Sequence, residues 1–466
     1  LLLASPRNSS TFQKAEGRWE KAGALAIFRR RELDGAKDWT HQYGTAGNAA
    51  YTGEALGDVS ATSGMAVQWI GRPGGDFDID RQPRMPAPLA AKGRLFHQGM
   101  NRLVALNAFN GAVLWSYEIP SLRRLNVAHD CSNWCVDDEH VYLAIRDRLW
   151  MLDAKTGELR HALLLPAKER KSHDWGFVAQ EGDIIVGSAV RANSAYRKFW
   201  GGEAWYDKVG VAVTQVCSNR LFGYRKSTAK GIWAYGRGLI LNPTLSLHDG
   251  KIYFLENRSL KLPAESNSRV SDRKLWLDLT AVCLDARTGK VIWECGGMSH
   301  NVVASPVSAK GIVYLGCSYD KRAMIAIRLE GAKGDITDTE HVLWTTNKRT
   351  PYVPSPLLYD DTLYYLSHYQ GILSVIHAKS GQIKAGPFRI DSLRDIYASP
   401  IGAGGHVYIT SREGLTIVIT HSKEPKPIAV NRLNESFSAS IAVAGNQLFL
   451  RGEKHLYCIA ENLQDP

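Results

Sequence analysis

The sequence lacks most of the short motifs that announce chemistry. Its 466 residues contain no C-x-x-C-H haem attachment site, no G-x-S-x-G elbow, no H-E-x-x-H pair and no Walker loop. Readings as a c-type cytochrome, α/β-hydrolase, zincin or P-loop nucleotidase therefore have no residues to stand on. Long apolar runs are missing too: stretches such as Leu163 to Pro166 fall far below the roughly 18 residues a membrane-spanning helix requires. Cysteine is sparse, and Cys131, Cys135, Cys217, Cys283, Cys295, Cys317 and Cys458 follow no zinc spacing. Cys283, Cys317 and Cys458 sit in apolar strand patterns and read as small buried residues. Cys131 and Cys135, in Cys-Ser-Asn-Trp-Cys, are near enough in sequence for a local disulfide. Such a bond needs Cα atoms within roughly 7 Å, and strand alternation works against that. Leu1 to Ala4 show neither an initiating Met nor the sections of a signal peptide, so the chain reads as a processed or partial product.

What is present is an ordinary globular composition, 44% hydrophobic and 22% charged, able to bury a large core. Length does not count domains here, because all-β repeat architectures run long as one body. The formal charge of +11 would permit attraction to acidic surfaces. Lys and Arg are spread over turns, with Arg29-Arg30-Arg31 the densest cluster, and no nucleic-acid motif organises them. Specific nucleic-acid recognition is not expected.

The informative feature is an internal repeat: an apolar strand, Asp or Asn, Ala, two residues, Gly, then a second strand ending in Trp. Leu103 to Trp115 (LVALNAFNGAVLW) and Ala281 to Trp293 (AVCLDARTGKVIW) are the clearest copies. Leu149 to Leu159 keeps the turn and loses the Trp, Leu373 to Lys384 has His377 in place of the acid, and Leu221 to Trp233 keeps mainly the spacing. The unit reads as a β-hairpin in which Asp285 and Thr288 accept turn amide hydrogens and Gly289 supplies a positive φ. The terminal Trp is then a wedge between neighbouring sheets, worth roughly 1.5 to 3 kcal/mol of burial.

A second element lies upstream of each hairpin: a short apolar segment, often opening on Ser-Pro or Ala-Pro, with an aromatic or apolar residue eight positions later. It joins Pro88 to Phe96, Pro306 to Tyr314, Pro356 to Tyr364, Pro400 to Tyr408 and Ile441 to Phe449. Phe177 to Ile185 and Leu245 to Tyr253 share the register, and Cys135 to Tyr142 falls one short. The spacing of roughly 41 to 68 residues is the period of four-stranded propeller blades. The expected fold is all-β: an eight-bladed β-propeller of four-stranded antiparallel blades, with a short non-propeller segment at the N-terminus. The last unit ends at Leu456 to Ile459 without its Trp strand, while Met65 to Gly71 (MAVQWIG) offers that strand with no blade before it. The N-terminal strand should close the ring, because an open stack would leave two bare sheet edges. The expected domains are an N-terminal segment, 1–65, and a propeller, 66–466. An insertion at about 186–220 carries Tyr196, Arg197, Phe199, Trp200, Trp205 and Tyr206, and reads either as a lid or partner surface or as aromatics packing the insertion down.

The segments ALNAFNGAVLW and CLDARTGKVIW resemble the repeat of the pyrroloquinoline quinone (PQQ) propellers, over roughly residues 66 to 460. That superfamily includes quinoprotein dehydrogenases and the non-enzymatic outer-membrane assembly lipoprotein of the BamB type. Asp38-Trp39-Thr40-His41, Gln68-Trp69, Asn107 to Gly111 and Tyr352 to Pro356 resemble, more narrowly, large PQQ-like repeat proteins of planctomycete-type bacteria. In some of those a domain similar to class I methyltransferases comes first, so the resemblance implies that residues 1–35 are the last strands of such a domain. No glycine-rich loop for S-adenosylmethionine or a dinucleotide is present.

A quinoprotein dehydrogenase needs a planar acidic cofactor in the channel, a cation held by carboxylate and amide oxygens, and an Asp base. The family's marker of two adjacent cysteines is missing. Residues just before each inner strand should face one mouth of the channel: Asp130, His173, Asp174, Trp175, Asn242, His300, Asn301, Arg394, Asp395, Asn434 and Glu435. All of these but Asp130 form the candidate ligand site, although loop residues of these types also cap turns or face water. No catalytic residue and no metal ligand is assigned. The preferred expectation is a non-catalytic binding or assembly platform in the periplasm or cell envelope, without a cofactor, engaging protein partners or a larger parent polypeptide. The alternative is a divergent quinone-dependent oxidoreductase using PQQ and calcium. The envelope placement is implied by the family resemblance.

Overall fold

The computed structural model describes residues 2–4, 17–22, 25–30, 35, 37–54, 65–71, 86–99, 101–120, 122, 132–194, 213–258, 279–298, 304–318, 323–367 and 371–461. Strands dominate, and they group into consecutive antiparallel sheets arranged as a propeller. Blade 1 consists of Leu89–Ala91, Arg94–Gln98, Arg102–Asn107 and Val113–Glu118. Blade 2 consists of Trp134–Val136, His140–Ile145, Arg148–Asp153 and Leu159–Leu164. Blade 3 uses His173–Glu181, Ile184–Arg191, Leu221–Arg225 and Lys230–Tyr235. Blade 4 uses Val307–Ala309, Ile312–Cys317, Ala323–Arg328 and Val342–Thr346. Blade 5 contains Leu357–Tyr359, Thr362–Ser367, Ile372–His377 and Ile383–Arg389, and blade 6 contains Ile401–Ala403, His406–Thr410, Leu415–Thr420 and Pro427–Arg432. Blade 7 joins Ala442–Ala444, Gln447–Arg451 and Leu456–Glu461 to Met65–Gly71 from the other end of the chain.

The expected count of eight four-stranded blades is corrected to seven. The sheet between blades 3 and 4 is seven-stranded: Ser246–His248, Lys251–Asn257, Leu279–Asp285 and Val291–Met298 are joined by Cys217–Ser218, Leu239–Leu241 and Gly334–Asp335. Gly334–Asp335 pairs in parallel with Val291–Met298, which breaks the antiparallel blade pattern. The tryptophan hairpin Ala281 to Trp293 was counted as one blade, and strands of two or three residues carry no periodicity that would reveal the extra members. Ahead of the propeller, Leu2–Ala4, Leu25–Arg30 and Gly17–Ala22 form a three-stranded antiparallel sheet. The strand connection in blade 3 where the insertion was expected begins after Arg191, and residues 195–212 lie outside the described residues.

The hairpin chemistry is as the repeat implies. Asp285 Oδ1 accepts from the amides of Arg287 (3.0 Å) and Thr288 (2.8 Å), and Asp153 does the same for Lys155 and Thr156. Closure is direct: Met65–Gly71 pairs antiparallel with Leu456–Glu461, placing Trp69 opposite Cys458. Burial follows the blade section. The three inner strands of a blade are buried between sheets, whereas the outermost, such as Val113–Glu118, exposes all but its Trp. Among the described residues no helix is long and apolar enough to cross a membrane.

Candidate binding mouth of the central channel

An inner strand leaves one edge unpaired toward the axis, and those amides need partners when water is excluded. At the C-terminal ends of the inner strands the partner is residues 38–54, laid across them as a strap. Trp39 exchanges both backbone hydrogen bonds with Ala90 of blade 1 (2.9 and 2.8 Å). Thr40 O accepts from Val136 of blade 2, Ala46 O from Leu247 of the seven-stranded sheet, and Ala50 O from Gly402 of blade 6. Asn48 Nδ2 donates to Leu245 O at 2.9 Å. Tyr51 lies 4.3 Å from the ring of Tyr359, which stacks on His421 at 4.0 Å; His421 in turn bonds Tyr364 and Asp360. Trp39, Tyr43 and Ala50 are buried, so the strap is part of the core rather than a surface tail.

Two titratable groups are built into it. His41 accepts from the Gln180 amide through Nε2 at 3.2 Å, and burial, opposed by nearby Asp137, pulls its pKa down to about 3. Glu54 is pushed up to about 7 by burial, with its own and the Thr52 amide and Lys37 pulling the other way. Glu54 Oε2 accepts from Thr52 N at 3.0 Å, while Oε1 has no hydrogen-bond partner among the described residues.

The other end of the channel, at the N-terminal ends of the inner strands, carries a belt of buried serines from the seven-stranded sheet through blades 4 to 7. Ser305 N donates to Ser355 Oγ at 3.0 Å, Ser355 N to Ser399 Oγ at 2.9 Å, and Ser399 N to Ser440 Oγ at 3.0 Å. Ser305 Oγ continues the belt by donating to Pro243 O. Each hydroxyl stitches one sector to the next just ahead of an inner strand.

Those candidate site residues that are described lie at this end and do not form one cluster. Asn242 is buried; its Oδ1 accepts from Ser188 and Ser218 at 3.0 and 2.8 Å, and its Nδ2 has no partner among the described residues. Asp174 accepts from Asn193 N at 2.7 Å, and His173 meets Ser172 Oγ at 2.8 Å. Trp175 is fully buried against Phe222 and Tyr224 between blades 2 and 3, a packing residue in this structure. Asp395 pairs with Arg412 at 3.1 Å, and Arg394 is exposed. Glu435 accepts from the amides of Lys454 and His455 and from Tyr457 Oη (2.6 Å), while Asn434 is exposed. Asp130, His300 and Asn301 lie outside the described residues, as does Cys131. Cys135 is a free, buried thiol whose pKa burial raises well above its ordinary value. Sequence reasoning missed the strap, whose only signal was Trp39 and Tyr43 within an otherwise polar, glycine-rich stretch.

The donor set answers how a quinone and its cation would fit. Asp174, Asp395 and Glu435 stand in three different blades, each already held by groups of its own neighbourhood. No group of three or more His, Cys, Asp or Glu side chains suited to a metal ion occurs among the described residues. A hard cation wants several converging oxygens, so the described residues do not fit a calcium-assisted quinone site.

The PQQ_2 family profile, described as "Outer membrane protein assembly factor BamB", matches residues 26–233 and 278–462. The chain belongs to this family. BamB from Moraxella catarrhalis is similar over 85% of this chain and 99% of its own, with a TM-score of 0.53 and 13% identity. The quinohemoprotein alcohol dehydrogenase from Comamonas testosteroni is similar over 92% and 81%, with a TM-score of 0.61 and 9% identity. The computationally designed Ika8 protein matches over 82% and 97%, with a TM-score of 0.55 and 12% identity. At such identities these likenesses speak for the PQQ-like propeller fold alone. No curated relative matches the sequence.

Proposed function

We propose that this propeller is a non-catalytic binding or assembly platform of the bacterial cell envelope, engaging a protein partner through the channel mouth opposite the strap. The observation that carries this reading is the use of the mouth's carboxylates. Asp174, Asp395 and Glu435 each hold a local turn or ion pair, which leaves rigid loops with exposed residues such as Arg394 and Asn434 at their surface. A catalytic site needs converging, poised groups, whereas a docking face needs rigid loops with varied side chains. Membership in a family described by an outer membrane assembly factor supports the envelope placement. A bound quinone is the competing reading, drawn from the likeness of fold to a quinohemoprotein dehydrogenase.

The test is site-specific photocrosslinking from Arg394 or Asn434 in the source bacterium, with adducts identified by mass spectrometry. A discrete envelope protein at both positions, absent when the photoprobe replaces a residue on the strap face such as Lys92, is expected. Recovery of no discrete adduct, or the same adducts from both faces, would overturn the proposal.

A further inference from the structure

The tryptophan wedge has a fixed register. It stands just past the bulge of a blade's fourth strand, or of Val291–Met298 in the seven-stranded sheet: Trp115 opposite Ala105, Trp69 opposite Cys458, Trp233 opposite Gly223, Trp293 opposite Cys283 and Trp344 opposite Ala326. Four of these indoles donate to the next unit's turn: Trp69 to Ala108 O, Trp115 to Ala154 O, Trp233 to Ala286 O and Trp344 to Ala378 O, at 2.8 to 3.2 Å. Each lies against the glycine three residues beyond that carbonyl, Gly111, Gly157, Gly289 or Gly381. A Cβ there would stand 2.7 to 2.8 Å from an indole atom. The glycine and the tryptophan are one device.

The seam between blades 2 and 3 lacks both halves. In blade 2 the wedge register, opposite Met151, holds the exposed His161. In blade 3 the turn is placed by Lys226 N donating to Asp183 O, as Ala286 N donates to Gly250 O in the seven-stranded sheet. Three residues beyond Lys226, where those four turns have glycine, stands Ala229 with φ 55. A Cβ here is what the four glycine turns exclude beside their indoles; blades 5 and 6 also carry no tryptophan in the wedge register, which holds Ala385 opposite Val375 and Ala429 opposite Val418. What remains is a groove of about 580 Å³ lined by His161 to Pro166, Arg170, Tyr224, Ala229 and Gly231 to Ala234. Leu163, Leu165 and Tyr224 form buried walls, and Arg170 stands exposed at the rim. Tyr224 Oη and Arg170 Nε are turned to the Leu164 and Leu165 carbonyls, which fixes the walls in place. Lys226 O, the equivalent of the indole acceptor, receives only a long bond of 3.4 Å from Ala229 among the backbone amides.

We propose that this groove docks a tryptophan side chain presented by a partner protein. Five of the seven other units place an indole in this register, and the groove left here has the apolar side chains of Leu163, Leu165 and Tyr224 in its lining. A ring arriving from solvent is not tethered to residue 161, so it is free to lie outward of the Ala229 methyl, against Leu163 and Ile232 and beneath the Arg170 guanidinium. The site is distinct from the channel mouth and stands or falls independently of the function proposed there.

Calorimetric titration tests it with N-acetyltryptophanamide and the peptide Ac-Ala-Ala-Trp-Ala-Ala-NH2, using the whole chain. Saturable binding is expected, about tenfold tighter for the peptide because the backbone flanking the ring adds contacts. Replacing the peptide's tryptophan by alanine should abolish it. His161→Ala should keep binding, whereas His161→Trp with Ala229→Gly should restore the chain's own wedge, raise the melting temperature and abolish binding. A crystal soaked with 5-bromotryptophanamide needs no variant, and its bromine should lie in this groove. Unchanged binding to the double variant, bromine elsewhere, or no saturable binding at all would overturn the site. A peptide no tighter than the amide would overturn its assignment to a protein partner.

Discussion

The backbone amide of Ser355 donates to Oγ of Ser399 at 2.9 Å, and both residues are buried at the start of adjacent inner strands. Blades 5 and 6 are thereby joined by a bond that neither blade could make alone. Ser399→Ala removes the acceptor and strands a buried amide, at a cost of about 1 to 3 kcal/mol. Urea unfolding should show a lower midpoint with an unchanged slope. An unchanged midpoint would mean that water replaces the hydroxyl.

The wedge at the seam of blades 1 and 2 makes a paired prediction. Trp115 is 8% exposed, and its ring lies where a Cβ on Gly157 would stand 2.8 Å away. Trp115→Ala should destabilise by about 3 to 5 kcal/mol, the range for large aromatic truncations. Gly157→Ala should destabilise as well, because φ is 75 and the methyl meets both Trp115 and Tyr117. The two losses should fall short of additivity in the double variant, since the methyl then has room. Thermal unfolding of the four proteins checks this.

The strap gives a pH signature. Glu54 has a folded-state pKa of about 7, above its ordinary 4.5, so its contribution is fully present below about 4.5 and is lost as pH rises through about 7. The difference amounts to roughly 3 kcal/mol. His41 works in the opposite sense: its folded pKa of about 3 lies below the ordinary 6.5, so its contribution is present above 6.5 and lost as pH falls toward 3. The two slopes oppose each other between about 4.5 and 6.5. Glu54→Gln should therefore gain stability relative to the parent as pH rises from 5 to 8, and leave a steeper acid-side loss from His41. Hydrogen exchange of the Gly402 and Gly404 amides, which donate to Ala50 O and Glu54 O, reads the strap itself. The same pH dependence in parent and variant would contradict the assignment.

Glu435 separates scaffold from surface at the mouth. Its side chain is 4% exposed and holds the turn that leads into Leu456–Glu461. Glu435→Ala should destabilise by about 1 to 3 kcal/mol, because it removes the acceptor of two turn amides and of the part-buried Tyr457 hydroxyl. Arg394→Ala and Asn434→Ala, both at exposed positions, should stay within about 0.5 kcal/mol of the parent. Chemical denaturation of the three variants distinguishes these outcomes.

The repeat was legible because hairpin physics is local. Asp285, Thr288 and Gly289 do in the structure what their spacing implies, and the orphan strand at Trp69 finds its partner at Cys458. The blade number was not legible, since Cys217–Ser218 and Gly334–Asp335 join a sheet through tertiary contacts that two residues cannot encode. The strap was hidden for a related reason. It follows the inner strands by backbone bonds, which impose no side-chain period, and only Trp39 and Tyr43 hint at burial. Trp175 was read as a mouth residue from its place before an apolar strand, yet its ring turns into the blade seam against Phe222.

The central functional claim is that the mouth is a docking face and no quinone site. Titration of the purified chain with PQQ and calcium, followed by tryptophan fluorescence and by dye-linked alcohol oxidation, tests it most directly. No saturable quenching and no dye reduction are predicted. Saturable binding of the quinone with turnover of an alcohol would contradict the account.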